Sequence, residues 1–448
     1  MRRIGYQLLV AISLLGAAPA ATRPRYGGTL RVMMQAAPTT LEIPTSAAPT
    51  DYWDSARILT LLTNNLVELD AAARPQPALA VSWQNDMNGK RWQFALRHGV
   101  KFHDGSPASG AAIAKILGDI HSGWIVRAAG DSLTIESDSA MPSLLAELAL
   151  TKNAIVKRNA DGIPIGTGPF RVAEFQPGGH LKLAAVEESW AGRPFVDTIE
   201  IDLGRSLRDQ AIALELNKVD VIETTPQPAP GGMQHGRTSL TVELMALVFS
   251  PNTRAQDARL RDALALAINR KPIQSGLLRG AGDPTATILP NWMTGYAAAF
   301  STQPDLQRAR GVLADSRQPV VTLSYDPRDP QGQLIADRIA LNAREAGITV
   351  QVSLSGPADI NLVRIVLPSS DPATSLREAA IELGMGQPLI HGNSIEDVYA
   401  AERALLDGHT VIPLFHLPVA SAASSRVRHW EPDRTGDWNL ADLWLEVP

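Results

Sequence analysis

Residue types that often carry enzyme chemistry are sparse in this sequence of 448 residues. The absence of cysteine excludes disulfides, thiol catalysis and thiolate metal sites. The nine histidines are scattered, no two are four residues apart, and no GxSxG, SxxK, HExxH or Walker sequence is present. Local spacing therefore predicts no nucleophile and no metal site. A carboxylate pair assembled only in the folded chain stays open.

Three local patterns that resemble functional motifs are better interpreted as structural. His103 and Asp104 are adjacent and precede a glycine, which is typical of a turn rather than of a metal or catalytic pair. His416 follows an apolar run, which favours a packed histidine over a metal ligand. The glycines of 166–170 do not complete a GxGxxG nucleotide motif, because position 171 is arginine.

The strongest local signal for structure is a β-hairpin with a helix after it. Val81 and Trp83 alternate with polar residues and are expected to share one face of the first strand. Residues 86–89 read Asp-Met-Asn-Gly, which is turn chemistry, and alternation resumes from Trp92. Ser109 is then a candidate helix cap.

The second half of the chain carries the signature of an α/β lobe. Strands are predicted at 320–323 and 348–354, with a helix between them that ends at a glycine. Parallel strands joined by a helix make a βαβ unit. A long amphipathic helix is predicted over 257–270, and 394–397 has the pattern of a capping box.

The N-terminus has the pattern of a cleavable export signal. Arg2 and Arg3 precede an apolar run at 8–15, and Ala18-Pro19-Ala20 fits the small-x-small cleavage rule. Residues 1–20 are therefore predicted to be a signal peptide. Since no cysteine follows, the mature protein is expected to be periplasmic and not a lipoprotein. The formal charge of −5, which becomes −7 without the two arginines, argues against nucleic acid as a partner.

Several stretches together resemble the family 5 solute-binding proteins, the dipeptide, oligopeptide and nickel receptors of ABC importers. The longest is ALAVSWQNDMNGKRWQFALRHGVKFHDGSP at 78–107, accompanied by GGTLRV at 27–32 and GTGPF at 166–170. The resemblance covers nearly the whole chain after the signal, and it is strongest in four ranges: 75–107, 164–202, 245–282 and 395–417.

The resemblance implies an α/β fold like that of type II periplasmic binding proteins. Two large lobes would be joined by a hinge and enclose a cleft, with a small, trimmed extra domain. The expected division is a discontinuous first lobe of 25–50, 165–245 and 430–448, a second domain of 51–164, and a third lobe of 246–429.

The resemblance also implies that the protein is a periplasmic receptor, which captures a peptide or similar small solute and delivers it to an ABC permease. No cofactor, no metal and no enzymatic activity are expected, and the protein is expected to be a monomer. The segment 363–372 lacks the tryptophan that peptide-binding members often carry there, which leaves the solute open. A secreted hydrolase, or a solute sensor or scaffold without transport, remains the alternative.

Large aromatic side chains are the candidates for the walls of the cleft. Such side chains grip ligands with large rigid surfaces, and aromatic residues are only 5% of this chain. By resemblance, the segments that lie between the first and third lobes carry Tyr52, Trp53, Phe249, Trp292 and Phe415. The other interpretation of each is ordinary core packing.

Overall fold

The structure is a computed structural model of the full chain. It describes residues 23–42, 49–70, 72–226, 236–251, 253–296, 299–314, 320–354, 357–392, 394–432 and 434–446. The predicted signal peptide lies outside the described residues. Within the described ranges, no helix is both long and apolar enough to cross a membrane.

The strands are, in chain order, β1 Thr29–Met33, β2 Val67–Leu69, β3 Pro75–Pro77, β4 Ala80–Asn85, β5 Arg91–Leu96, β6 Ile125–Ala129, β7 Ser132–Glu136, β8 Lys157–Arg158, β9 Pro164–Ile165, β10 Phe170–Gln176, β11 His180–Ala185, β12 Thr198–Asp202, β13 Val221–Thr224, β14 Gly236–Thr238, β15 Glu243–Phe249, β16 Asp283–Pro284, β17 Val320–Tyr325, β18 Thr349–Ser353, β19 Ile360–Val366, β20 Val411–Leu417, β21 Ala420–Ala423, β22 Val427–Arg428 and β23 Trp444–Leu445.

The α-helices are α1 Pro49–Leu62, α2 Gly110–Ile120, α3 Leu144–Leu148, α4 Leu207–Glu215, α5 Ala258–Ala267, α6 Arg270–Pro272, α7 Asn291–Thr294, α8 Leu306–Val312, α9 Gly332–Glu345, α10 Pro372–Glu382 and α11 Ile395–Leu406. Short 3₁₀ turns occur at Thr151–Asn153 and Arg254–Gln256, and a π-turn at Ile273–Leu277.

The first lobe is built on a seven-stranded sheet in the order β10-β11-β12-β1-β13-β21-β14. β1 pairs in parallel with β12 and with β13, while the outer strands pair antiparallel. Its core combines alternate residues of these strands with Ile58 and Leu62 of α1 and with Trp430 and Trp438 of the C-terminal segment.

The second domain is a four-stranded antiparallel sheet, β4-β5-β7-β6, covered by α2. The predicted hairpin is confirmed as β4 and β5, and the Ser109 hydroxyl caps α2 by accepting the Ala112 N–H. Val81, however, is 42% exposed and does not share the buried face with Trp83. A register shift between Ala80 and Ser82 breaks the alternation there.

The third lobe is a six-stranded mixed sheet in the order β16-β20-β15-β19-β17-β18. The predicted βαβ unit is confirmed as β17, α9 and β18, with the two strands parallel. The capping box of α11 is also present, with Ser394 and Asp397 each bonded to the other's backbone. The predicted helix over 257–270 is shorter: α5 ends at Ala267, and Ile268 and Asn269 are extended.

Sheet membership moves the expected domain boundaries at three places. The chain enters the third lobe at β15, which begins at Glu243, and returns to the first lobe at β21, which begins at Ala420. The C-terminal part of α1 packs in the first-lobe core, not in the second domain. We therefore propose that residues 420–429 and the C-terminal part of α1 belong to the first lobe, because hydrogen-bonded pairing and shared burial define a domain better than motif order.

Two of the motifs that carry the resemblance contact each other directly. The His103 backbone N–H donates to the Gly166 carbonyl at 2.9 Å, and its ring Nε2–H donates to the Gly168 carbonyl at 3.1 Å. The neighbouring Asp104 pairs with Lys157 at 2.8 Å. Burial lowers the pKa of His103. These contacts agree with a structural rather than catalytic role for the pair.

His416 is a buried histidine whose protonation should limit stability in acid. Its Nε2–H donates to the Ile288 carbonyl at 2.9 Å, and burial lowers the pKa of His416 to about 4. The unfolded chain takes up this proton below pH about 6.5, so stability should fall by about 3 kcal/mol as pH drops from about 6.5 to about 4. Urea unfolding at a series of pH values measures this slope.

The matched variants are His416→Gln and His98→Gln, since the His98 side chain is 91% exposed. His416→Gln should flatten the slope between pH 6.5 and 4, whereas His98→Gln should leave it close to wild type. Equal slopes in wild type and His416→Gln would contradict the assignment.

Candidate functional site

A cleft with a volume of about 460 Å³ lies between the first and third lobes. This volume is within the range of sites for small ligands. Both lobes contribute charged and polar side chains to its walls. These include Gln35, Arg57, Glu223, Glu243, Asp329 and Arg364.

The first-lobe wall is centred on a buried ion pair. Arg57 of α1 contacts Glu223 of β13 at 3.1 Å, and the two side chains are 5% and 11% exposed. The Arg57 guanidinium also lies 4.9 Å from the Trp438 ring centre. Glu223 accepts the Gln35 backbone N–H at 2.6 Å, and the Gln210 amide, which is fully buried, flanks it at 3.4 Å. These contacts fix the carboxylate of Glu223 in place.

The third-lobe wall holds a second charged group in which one arginine faces two carboxylates. Arg364 of β19 approaches Asp329 at 3.0 Å and Glu243 of β15 at 3.6 Å. Burial raises the pKa of Glu243 even though Arg364 and Arg57 act in the opposite direction. The pKa of Arg364 is raised by the two carboxylates, which outweigh its burial. This group has one negative charge more than positive when all three residues are ionised.

The two lobes touch across the cleft and are joined by paired crossover segments. The Gln35 side-chain amide donates to the Arg328 carbonyl at 2.6 Å, from the first lobe to the third. At the hinge, the Ser239 N–H donates to the Val419 carbonyl and the Val419 N–H donates to the Ser239 hydroxyl, both at 3.0 Å. The lobes are therefore in contact across the cleft and are joined by a two-segment hinge.

The second domain also contacts the third lobe. Lys152 lies 2.7 Å from Glu378 of α10, and the Ser370 hydroxyl donates to the Asp70 carbonyl at 3.0 Å. The same lysine contacts Glu147 at 2.9 Å. Closure therefore involves polar contacts in addition to packing.

Two helices begin at the cleft, one from each lobe. Leu207 is the first residue of α4 and Gln331 precedes α9, and both line the cavity. The free N–H groups and the dipole at such helix starts favour polar or anionic groups of a ligand. The cleft therefore offers donors and carboxylate acceptors at short range, which suits a polar solute with charges of both signs.

Three of the five aromatic residues predicted from the sequence lie away from the cleft. Phe249 and Phe415 pack in the third-lobe core, with 8% and 0% exposure. The Trp292 indole N–H donates to the Thr241 carbonyl at 3.1 Å, which ties α7 to a hinge segment. None of these three lines the cleft. Tyr52 and Trp53 belong to α1, but their side chains are outside the described part of the structure.

The sequence carries a signal for the charged cleft residues that a search for aromatic residues does not detect. Glu223, Glu243 and Arg364 each interrupt or border an apolar strand, in VIE, VELMALVF and LVRIV. Charged residues are rarely buried in a core unless they are paired or functional. Such interruptions mark strand positions that face a polar cavity, but they do not identify the partner.

No group of three or more His, Cys, Asp or Glu side chains among the described residues is arranged to hold a metal ion. Two α/β lobes, a two-segment hinge and a cleft of mixed charge between the lobes define a two-lobed binding protein.

Comparison with models of protein families identifies the family of this chain. Residues 74–116 and 127–364 match the model described as bacterial extracellular solute-binding proteins, family 5. The chain belongs to this family. The resemblance noted in the sequence is thereby confirmed.

Curated relatives carry the names of peptide- and nickel-binding proteins. The nickel-binding protein NikA of Staphylococcus aureus is 23% identical over 248 residues, covering 51% of this chain and 49% of that protein. The dipeptide-binding protein of Escherichia coli is 24% identical over 295 residues, covering 52% and 54%. The chain thus spans about half the length of these relatives.

Solved structures have the same fold, and they confirm the predicted type II fold. NikA of Staphylococcus aureus in complex with Ni(L-His)2 superposes with a TM-score of 0.78 at 17% identity, covering 93% of this chain and 100% of that one. The ABC transporter-associated periplasmic binding protein DppA of Helicobacter pylori, in complex with the peptide STSA, gives 0.79 at 16% identity, covering 95% and 99%.

Proposed function

We propose that this protein is a periplasmic receptor that captures a peptide or similar small solute between its lobes and delivers it to an ABC permease. The observation that carries the proposal is the cleft between the lobes, whose opposite walls present the Arg57–Glu223 pair and the Arg364–Asp329–Glu243 group. Family membership and the names of the relatives support it.

A peptide suits these walls chemically. Its ammonium and carboxylate ends match side chains of both signs, and its amide groups match the donors at the starts of α4 and α9. A volume of about 460 Å³ favours a short solute. We expect the receptor to act as a monomer, without cofactor and without catalysis, after removal of residues 1–20. Binding measurements will identify the solute.

The direct test combines mass spectrometry of small molecules that co-purify with the native protein and calorimetry with the compound found and with di- and tripeptides. Saturable binding of one such solute, accompanied by closure in small-angle scattering, is the expected result. Absence of any co-purifying solute together with absence of peptide binding would overturn the proposal.

Gln35→Ala should weaken binding of the solute so identified by about two- to tenfold, because closure would lose the hydrogen bond from Gln35 to the Arg328 carbonyl. Gln93→Ala is the control, since this exposed glutamine of β5 lies in the second domain and bonds only neighbouring surface side chains. Isothermal titration of both variants measures the effect. Equal affinities would show that the cross-lobe bond does not contribute to capture.

A further inference from the structure

A second cavity, of about 310 Å³, lies on the first lobe beside the edge strand β14. Its walls come from β14, from β21 and from Glu431, Pro432, Arg434 and Gly436 of the C-terminal segment, and we call it the edge-strand pocket. Val419 lines both this pocket and the cleft, so it forms part of the wall between them. A Cβ on Gly436 would lie 2.3 Å from Val419, which shows how closely the backbone packs against this wall.

The strand register places a row of polar side chains from the cleft to this pocket. Ser421 of β21 lies opposite Glu223 on one side and opposite Arg237 of β14 on the other. Facing residues of antiparallel strands project from the same face of a sheet. The row therefore begins at the cleft carboxylate of Glu223, passes Ser421, and ends at Arg237 in the edge-strand pocket.

The donors of the pocket lack acceptors within the described chain. Ser421 is only 5% exposed, yet its hydroxyl has no hydrogen-bond partner among the described residues. Arg237 and Arg434 are exposed and form no ion pair with a described carboxylate, and Glu431 is the one acidic residue among the described residues of the wall. These described residues therefore carry one positive charge in excess. Because a hydroxyl on a residue as buried as Ser421 is normally paired, an acceptor group is expected beside it.

We propose that the edge-strand pocket binds an oxyanion, a carboxylate or a phosphate, through Arg237, Arg434 and Ser421. Two guanidinium groups and a hydroxyl are all donors, and arginine forms its strongest hydrogen bonds with such oxyanions. The anion has two possible sources: a free anion from solution, or the acidic end of a solute that extends from the cleft past Val419. The proposal does not depend on the function proposed above.

The first experiment is titration calorimetry with inorganic phosphate at low ionic strength. Arg237→Gln/Arg434→Gln should weaken phosphate binding at least tenfold, and Ser421→Ala should weaken it several-fold without a change in charge. The control Arg127→Gln/Arg171→Gln removes the same charge from exposed positions away from the pocket and should bind within twofold of wild type. Circular dichroism verifies that each variant is folded.

The second experiment separates the two sources by comparing tri-alanine with its C-terminal amide. If the pocket holds the end of a solute, the acid should bind at least tenfold tighter than the amide, and Arg237→Gln/Arg434→Gln should abolish that difference. If it holds a free anion, acid and amide should bind alike while phosphate still binds. If tri-alanine does not bind at all, the phosphate titration alone decides whether the pocket binds an oxyanion. Equal behaviour of the pocket and control double variants with every probe would overturn the proposal.

Discussion

Arg364→Leu should lower the free energy of unfolding of the third lobe by about 3–5 kcal/mol, because it leaves two carboxylates facing each other without their counter-ion. Glu243 and Asp329 are each 13% exposed at the side chain and both contact Arg364 in the wild type. Urea unfolding monitored by far-ultraviolet circular dichroism at pH 7 measures the loss.

The control for this change is Arg259→Leu, which also breaks an arginine–aspartate contact but at a side chain that is 57% exposed. Exposed pairs contribute about 0–1 kcal/mol, so its effect should be small. Arg364→Leu should also recover part of its loss as pH falls from 7 towards 5. Removal of the arginine raises the pKa of Glu243 further, so this carboxyl takes up a proton more readily in the folded state. Equal unfolding midpoints for the two variants would refute the role of the buried group.

Gly166→Ala should strongly destabilise the fold. A Cβ at this position would lie 2.0 Å from the Leu62 carbonyl oxygen and 2.9 Å from its carbon, both backbone atoms at the end of α1. Backbone cannot rotate away as a side chain can, so the loop must separate from the helix. The expected loss is more than about 4 kcal/mol, the range of severe core overpacking and strain, and thermal unfolding measures it.

Gly118→Ala is the matched control, because nothing lies within 4 Å of a Cβ there and the residue is inside α2. Alanine should stabilise that helix by about 0.5–1 kcal/mol. Gly168→Ala gives a second test at the same contact, with a Cβ 2.5 Å from the Leu62 carbonyl carbon. If Gly166→Ala and Gly168→Ala both melt at the wild-type temperature, the close approach is not required for stability.

The glycines of the GTGPF stretch serve packing and not nucleotide binding. Its conformation is determined by the close packing of one loop against one helix end, and the chain there donates from Gly168 N–H to the Leu62 carbonyl at 3.0 Å. A phosphate-binding loop instead needs its backbone N–H groups free for the ligand. The motif therefore specifies the packing of this loop against the C-terminal end of α1.

The sequence by itself determined the local structure of this protein and its family. The turn at 86–89, the cap at Ser109, the capping box at Ser394 and the βαβ unit from Val320 were all predicted and are present. Each depends on residues close in the chain, where side-chain chemistry and periodicity act directly on the backbone. A resemblance spread over many such elements is correspondingly specific.

Only the tertiary structure decided which side chains face the cleft. Arg57 meets Glu223 across 166 positions of sequence, and Arg364 meets Glu243 because β15 and β19 are neighbours in the sheet. Phe249 and Phe415, expected at the cleft, instead fill the third-lobe core, because large apolar side chains gain most from complete burial. The walls of a cleft between lobes are assembled by strand order and by hinge position, and neither is expressed in the spacing of residues along one segment.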